Sequence, residues 1–435
     1  MFFGFQRIEI MLVLLGSLCI FLVIGVPVAY SLGLSAMLYF IVENPMLIAI
    51  LPQRLFAGIN NYALISLPLF ILMGFIMNSG GITARLLDLS MFFVGRLKGG
   101  LGLVNVVASM IFGGISGSSA SDTASIGSVL IPEMKRRGYP ASFAAGITVA
   151  SSTMGMIIPP SVPMVIYAIV AQESVGQMFL GGIVPGIMIG VFQLIVVWWF
   201  ARRRGYPTEE VPFTLAEATR QARRSAIVAV MPILVVGSVV FGIATPTETA
   251  GMAVAYGLVI GSLIVGFGSI RDLPVSMRAA ILTSAKIMMI IAFSQLYIWV
   301  LALERIPEAI AFYLTSFELS ATGLMLLIAV VILLAGTFID VSPAILLLTP
   351  VLLPTAEAAG ISGVHFGIVM VSGLAVGACT PPVGNCLNVC AAIARMGIGK
   401  IFLGAAPFLL ANVFVLFLLC IFPELVMAIP NMVFN

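Results

Sequence analysis

Charge is what this sequence has least of. Asp, Glu, Lys and Arg make up 9% of its 435 residues, whereas a globular surface needs about a quarter to stay dispersed. That scarcity excludes a soluble domain. Histidine occurs once, at His365, and the five cysteines (Cys19, Cys379, Cys386, Cys390, Cys420) lie in apolar segments with no carboxylate or imidazole alongside. They read as small buried hydrophobes, not as metal ligands. The first apolar run, Ile10–Ile24, has no basic cluster before it and no small-residue cleavage site, so it is a retained span and not a signal peptide. The net charge of +3 is small, and no nucleic-acid partner is expected.

What the chain has in abundance is hydrocarbon: 61% hydrophobic residues and a mean hydropathy of +1.21. Many segments approach the ~20 apolar residues that cross a bilayer. The fold class is an all-α polytopic membrane protein surrounded by lipid, with about ten spans, two re-entrant hairpins and two broken helices. Spans are expected at 8–26, 28–43, 62–78, 176–200, 225–244, 250–267, 280–300 and 402–422. Segment 44–60 reads as interfacial, and 83–98 and 306–318 as amphipathic helices along the surface. Segments 101–137 and 322–358 are apolar on both flanks, each flank too short to cross alone, and fit hairpins. Segments 142–172 and 362–394 are interrupted by MIIPPSVP and CTPPVGN, where proline removes donors and disfavours helix.

The second half repeats the first. At an offset of 222 residues, Gly114, Pro132, Gly138, Gly155, Pro159, Pro160, Gly182 and Pro185 meet Gly336, Pro354, Gly360, Gly377, Pro381, Pro382, Gly404 and Pro407. This places one repeat at 1–200, a cytoplasmic linker at 201–224 and a second repeat at 225–435. The turn EMKRRG (Glu133–Gly138) is basic, while its counterpart TAEAAG (Thr355–Gly360) carries no Lys or Arg. Cations collect on the cytoplasmic side, so the two turns should face opposite sides and the repeats should be inverted, with both termini periplasmic. Arg7, Arg54 and Arg305 are the exceptions to this charge bias.

Inverted repeats with broken helices are how secondary transporters build a midplane site. Exposed carbonyls coordinate a small cation, and half-helix N-termini attract an anion. The tip FGGISGSSASD and the three residues after it carry seven Ser, Thr or Asp residues within Ser116–Ser125. An Asp at membrane depth costs roughly 2.5–3.5 kcal/mol and marks a functional site. One cation position is assigned to Ser116, Ser118, Ser119, Asp122, Gly155 and the carbonyls before Pro159–Pro160. The other is assigned to Gly336, Thr337, Asp340, Gly377, Thr380 and the carbonyls around Pro381–Pro382. Such hard oxygens suit Na⁺, the one cofactor-like species expected. Ser118, Ser161, Asp340, Ser342 and Asn385 are candidates for substrate. Both aspartates have a structural alternative, as helix N-caps. No Lys or Arg lies between Leu101 and Pro132 or from Thr322 up to Arg395, so helix dipoles and Na⁺ should attract the anion.

Two rival classes arise. GISG (Gly114–Gly117) resembles the nucleophile motif of rhomboid-type intramembrane proteases, but its only candidate base, His365, should sit at the opposite face as a solvated boundary residue. A passive anion channel would not need duplicated binding tips. No enzymatic activity is expected.

The stretches GGISGSSASDTASIGSVLIPEMKRRGYP, ASSTMGMIIPPSVPMVIYA, GTFIDVSPAILLLTPVLLP and GACTPPVGN resemble the large membrane subunit of tripartite ATP-independent periplasmic (TRAP) transporters. The similarity covers essentially the whole chain. It implies an elevator-type carrier in a bacterial inner membrane, driven by Na⁺, moving an organic acid such as a C4-dicarboxylate or sialic acid. A periplasmic binding protein would deliver the acid, and a small four-helix membrane subunit would accompany it. No four-helix segment precedes Met1, so that subunit is expected as a separate chain. The family's two Na⁺ sites, at hairpin tips and helix breaks, correspond to the residues named above. Parts 101–172 and 322–394 would slide against a scaffold of the remaining spans.

Overall fold

Backbone N–H and C=O groups have no water to bond in hydrocarbon, so a chain this apolar is left with helix. The computed structural model describes residues 2–79, 82–206, 208, 230–265, 267–315 and 319–434, and within them every regular element is helical. The first part contains α1 (Phe2–Val23), α2 (Val28–Glu43), α3 (Leu51–Ile59), α4 (Ser66–Ser79) and α5 (Ile82–Val94). A hairpin follows, α6 (Gly100–Ser116) and α7 (Ser119–Arg136), and then a broken helix, α8 (Ala141–Ser152), α9 (Met154–Ile157) and α10 (Val162–Ala171). After α11 (Val175–Arg204) come α12 (Val230–Val240), α13 (Pro246–Val265), α14 (Phe267–Leu303) and α15 (Ile306–Thr315). The pattern then returns as a hairpin, α16 (Ala321–Phe338) and α17 (Val341–Ala358), and a broken helix, α18 (Gly363–Gly377) and α19 (Asn385–Ala394). The chain closes with α20 (Ile398–Ile421) and α21 (Glu424–Phe434). Most of the expected linker 201–224 lies outside the described residues, as do 316–318 of the second amphipathic stretch.

Among the described residues five helices are long and apolar enough to cross a membrane, or seven if each of two bent pairs is one span. Three differences from the sequence reading stand out. First, residues 268–279, expected as a connection between the spans at 250–267 and 280–300, are helical and form the start of α14, with Pro274 inside it. Neighbouring helices tolerate a proline in such a helix by satisfying the freed carbonyl. Second, the arms of the second hairpin are 18 residues each and reach spanning length, because only Ile339 and Asp340 form the turn. Third, His365 is buried, and its Nε2 lies 2.8 Å from the Leu419 carbonyl. Packing of α18 against α20 covers it, so it is not a solvated boundary residue.

The two halves interlock. Helix α8 packs on α20, and α18, 222 residues after α8, packs on α11; likewise α19 packs on α7, and α10 on α17. These contacts are close. A Cβ on Gly404 would strike the Ser142 carbonyl of α8, and one on Gly146 would strike the Gly404 backbone. Backbone cannot rotate away as a side chain can. Gly404→Val should therefore destabilise the protein by about 3 kcal/mol or more, read as a lowered melting temperature of the purified protein in detergent.

A separate apolar cluster holds α1, α2 and α3 to the second half of α14, through Leu14, Leu32, Phe40, Leu296 and Tyr297 among others. It is distinct from the large core that unites the hairpins and broken helices. Helices α4 and α13 pack on α14 and on each other, and α14 also touches α17 of the second hairpin. At the end of α11, Arg202, Arg203 and Arg204 lie over Trp198, Trp199 and Phe200 at 4.6, 4.4 and 4.9 Å, an arrangement suited to a membrane interface. Glu248 forms a reciprocal capping box with Thr245 at the start of α13: Thr245 N donates to Oε2 at 2.8 Å, and Glu248 N donates to Thr245 Oγ1 at 3.3 Å.

Candidate functional site

Each hairpin tip presses on the break of its own repeat, because glycines let backbone meet backbone. A Cβ on Gly114 would lie 3.2 Å from the Pro159 carbonyl, and one on Gly117 3.2 Å from the Pro160 carbonyl. In the second half Gly336 abuts Gly377, and Val383 N donates to the Thr337 carbonyl at 3.2 Å. Pro159–Pro160 and Pro381–Pro382 are both cis. The carbonyl of Ala150, ahead of the first break, accepts from Gln193 at 3.0 Å and from Asn412 at 3.2 Å. That satisfies a main-chain oxygen which water cannot reach.

The first tip is built around Asp122. Gly117 has φ +61, which turns the chain between α6 and α7, and Ser118 is the N-cap of α7. Ser116 Oγ donates to Asp122 Oδ1, and Ser118 N donates to Ser116 Oγ at 3.2 Å. Asp122 therefore braces the tip from the first turn of α7 and is not its cap. Its second oxygen, Oδ2, is fully buried against Gly155 and has no hydrogen-bond partner among the described residues. A buried unpaired carboxylate oxygen is costly, and a small hard cation or a proton would relieve it. Ser116, Asp122 and Gly155 thus form one cluster that fits a cation.

The second group is arranged differently. Thr337 Oγ1 donates to the Leu334 carbonyl and Thr380 Oγ1 to the Gly377 carbonyl, both at 2.7 Å. Both hydroxyls make the local helix bond common for threonine, which leaves their lone pairs available. Pro381 is exposed. Asp340 is the N-cap of α17 with no side-chain capping bond, the place Ser118 occupies on α7. The repeat offset pairs these two residues, so one structural position carries a hydroxyl in one half and a carboxylate in the other.

Both tips and both breaks open onto one cavity of about 500 Å³. Ser116, Ser118, Ser119, Asp340, Ser342 and Asn385 line it. Asp122, Gly155, Pro159, Gly336, Thr337, Gly377, Thr380, Pro381 and Ser161 do not. Ser161 caps α10, accepting from Met164 N at 3.4 Å and donating to the Met156 carbonyl. Four helices begin at the cavity wall: α7 at Ser119, α10 at Val162, α17 at Val341 and α19 at Asn385. Their unpaired N–H groups and dipoles all favour a negative charge there. Cys386 Sγ donates to Ser119 Oγ at 3.0 Å and ties the second break to the first tip.

The opposite wall comes from α4 (Ile71, Gly74, Phe75) and α14 (Thr283, Lys286, Ile287, Ile290). Lys286 is the residue that sequence reasoning missed. No Lys or Arg lies at 101–132 or 322–394, but α14 brings an ammonium to the cavity, so helix dipoles are not its only positive charge. The available signal was a lone lysine in an apolar span, which marks a functional site by default. No protease centre forms: Ser116 is bonded to Asp122, and His365 to Leu419.

A chain whose described residues are all helical, with broken helices around a cavity lined by helix N-termini, serines, Asp340 and Lys286, has the build of a membrane transporter. The sequence matches "Tripartite ATP-independent periplasmic transporter, DctM component" over residues 15–425, and the chain belongs to this family of transporter permeases. It is 33% identical over 435 residues to the C4-dicarboxylate TRAP transporter large permease protein DctM of Rhodobacter capsulatus, covering 97% of this chain and 99% of that one. It is 32% identical over 413 residues to the sialic acid TRAP transporter large permease protein SiaM of Vibrio cholerae, covering 94% and 95%. It is 36% identical over 392 residues to the isethionate TRAP transporter permease protein DctMQ of Oleidesulfovibrio alaskensis, covering 89% of this chain but spanning only 61% of that longer relative. Among solved structures, the YdaH transporter of Alcanivorax borkumensis shares the fold, with a TM-score of 0.65 at 14% identity over 87% of this chain and 89% of that one.

Proposed function

We propose that this permease carries a small organic acid inward across the bacterial inner membrane, coupled to Na⁺, by an elevator movement. The observation that carries the reading is the convergence of four helix N-termini and Lys286 on one cavity. That wall is selective for an anion and has hydroxyls and amides enough to orient a carboxylate. Relatives named for C4-dicarboxylates and sialic acid fit this chemistry. When bound, Na⁺ would neutralise buried oxygens at the two tips and so order the wall on which the acid rests. Ser116, Asp122 and Gly155 would hold one ion; Thr337, Thr380 and the carbonyls about Gly336, Gly377 and Pro381 would hold the other.

The hairpins and broken helices form the moving body, and α1 to α4, α13 and α14 the rail and frame. A separate apolar cluster that ties α1, α2 and α3 to the second half of α14 supports this division, while α4, α13 and the rest of α14 pack into the large core along the surface where the two bodies meet. A small membrane subunit and a periplasmic binding protein complete the assembly. The tripartite family description supports both partners, and a longer relative named DctMQ supports the small subunit.

The deciding experiment is uptake of ¹⁴C-labelled succinate and sialic acid by vesicles containing the complete transporter, with and without an inward Na⁺ gradient. Accumulation only with the gradient is expected; equilibration without it would mean a passive channel. For the inverted arrangement, a cysteine at Glu357 should label from the outside and one at Lys135 from the inside. Labelling of both from one side would overturn it.

A further inference from the structure

A second cavity of about 500 Å³ lies farther along α14, and the transport reading does not use it. Its frame-side wall is α3 with Arg54, the Asn60–Asn61 turn, and α14 with Gln295 and Trp299. Its other wall is α10, through Ile166, Ile169 and the following Gln172, together with Pro350 of α17. It therefore sits between the same two bodies as the first cavity. Nine residues of unbroken helix separate Lys286 from Gln295, an axial rise of about 13 Å.

Among the described residues this cavity holds one cation and no lining carboxylate. The Arg54 guanidinium lies 4.6 Å above the Trp299 ring, and Phe40 stacks against that ring at 5.0 Å. Stacking orients the planar fork but leaves its N–H donors without a carboxylate partner. Glu173, next in sequence to the lining residue Gln172, packs against Gly363 instead. Burial, and after it the charge of Glu357, raises the Glu173 carboxyl above its usual range. Gly58 lets α3 approach the Gln295 side chain closely. Asn61 Oδ1 accepts from Ala63 N at 3.0 Å, which leaves its amide N–H₂ as a donor. The lining thus offers a guanidinium and several amides, a donor set for a carboxylate. Arg54 is also one of three cations that the Lys/Arg bias leaves on the outer side, where the bias gives it no reason to be.

We infer that this cavity is a second carboxylate site, the outer station on α14, where the acid docks on Arg54 before the moving body carries it toward Lys286. This rests on the reading of the protein as an organic-acid carrier.

The chain has three tryptophans, Trp198, Trp199 and Trp299. Changing the first two to Phe leaves Trp299 as a reporter inside this cavity. The full chain in phosphatidylcholine nanodiscs is titrated with whichever of succinate and sialic acid the vesicles accumulate. A saturable change in Trp299 emission is expected, with half-saturation raised about tenfold or more by Arg54→Gln and much less by Arg54→Lys. Gln295→Leu should raise it severalfold, and Arg305→Gln, a cation outside the cavity, should leave it unchanged. No response to an acid that is transported would overturn the inference and leave the transport reading intact. A response produced by phosphatidylglycerol nanodiscs and not displaced by the acid would assign the site to lipid headgroups and also overturn it. If neither acid is transported, the carrier reading fails and the inference falls with it.

Discussion

Replacing Lys286 with Gln is expected to lower uptake of the transported acid by about 10- to 100-fold, the range for losing one charge-assisted hydrogen bond of about 1.5–3 kcal/mol. Lys286 is exposed to the first cavity, on the frame side, facing a wall of four helix N-termini and hydroxyls. Its ammonium is the one basic side chain lining that space. Because it lies on α14 outside the buried core, the amount of protein in the membrane should not change. Lys286→Arg should keep part of the activity, since charge survives while geometry shifts. The measurement is initial uptake rate against acid concentration in vesicles. Unaltered uptake by Lys286→Gln would mean that helix dipoles and Na⁺ hold the anion unaided, as the sequence reading had it.

Asp122→Asn should weaken Na⁺ activation by about 100-fold or more, because removing one partner of a buried charge pair costs about 3–5 kcal/mol. The substitution keeps shape and the bond from Ser116, so the hairpin tip should stay folded. What changes is Oδ2, the buried oxygen beside Gly155 with no partner among the described residues. An amide there presents either a neutral oxygen or an N–H₂ group that repels a cation. Half-saturating Na⁺ for uptake, and the rise in melting temperature with added Na⁺, are the two readouts. If both match the unmodified protein, Asp122 only staples the tip through Ser116.

Of the arrangement, much was legible along the chain. Helical hairpins and breaks fall at 100–136, 141–171, 321–358 and 363–394, close to where glycine, serine and PP steps interrupt apolar runs. Those signals are local: proline removes a donor and glycine permits contact, whatever the rest of the chain does. Connections that packing decides were less legible. Pro274 does not end a helix, because α14 is held by α2, α3, α4 and α13 along its length. His365 looked like a boundary residue until α20 covered it.

Hydropathy and the 222-residue duplication alone set the class of protein, the positions of both tips and breaks, and the oxygen-rich chemistry at Ser116–Asp122 and Asp340. Only the folded chain could decide that Ser118 and Asp340 reach one cavity while Ser161 and Thr380 do not, and that α14 adds Lys286 from outside both tips. The reason is physical: a residue's own preferences act over one or two turns, whereas a shared wall depends on how helices far apart in sequence cross and bury one another.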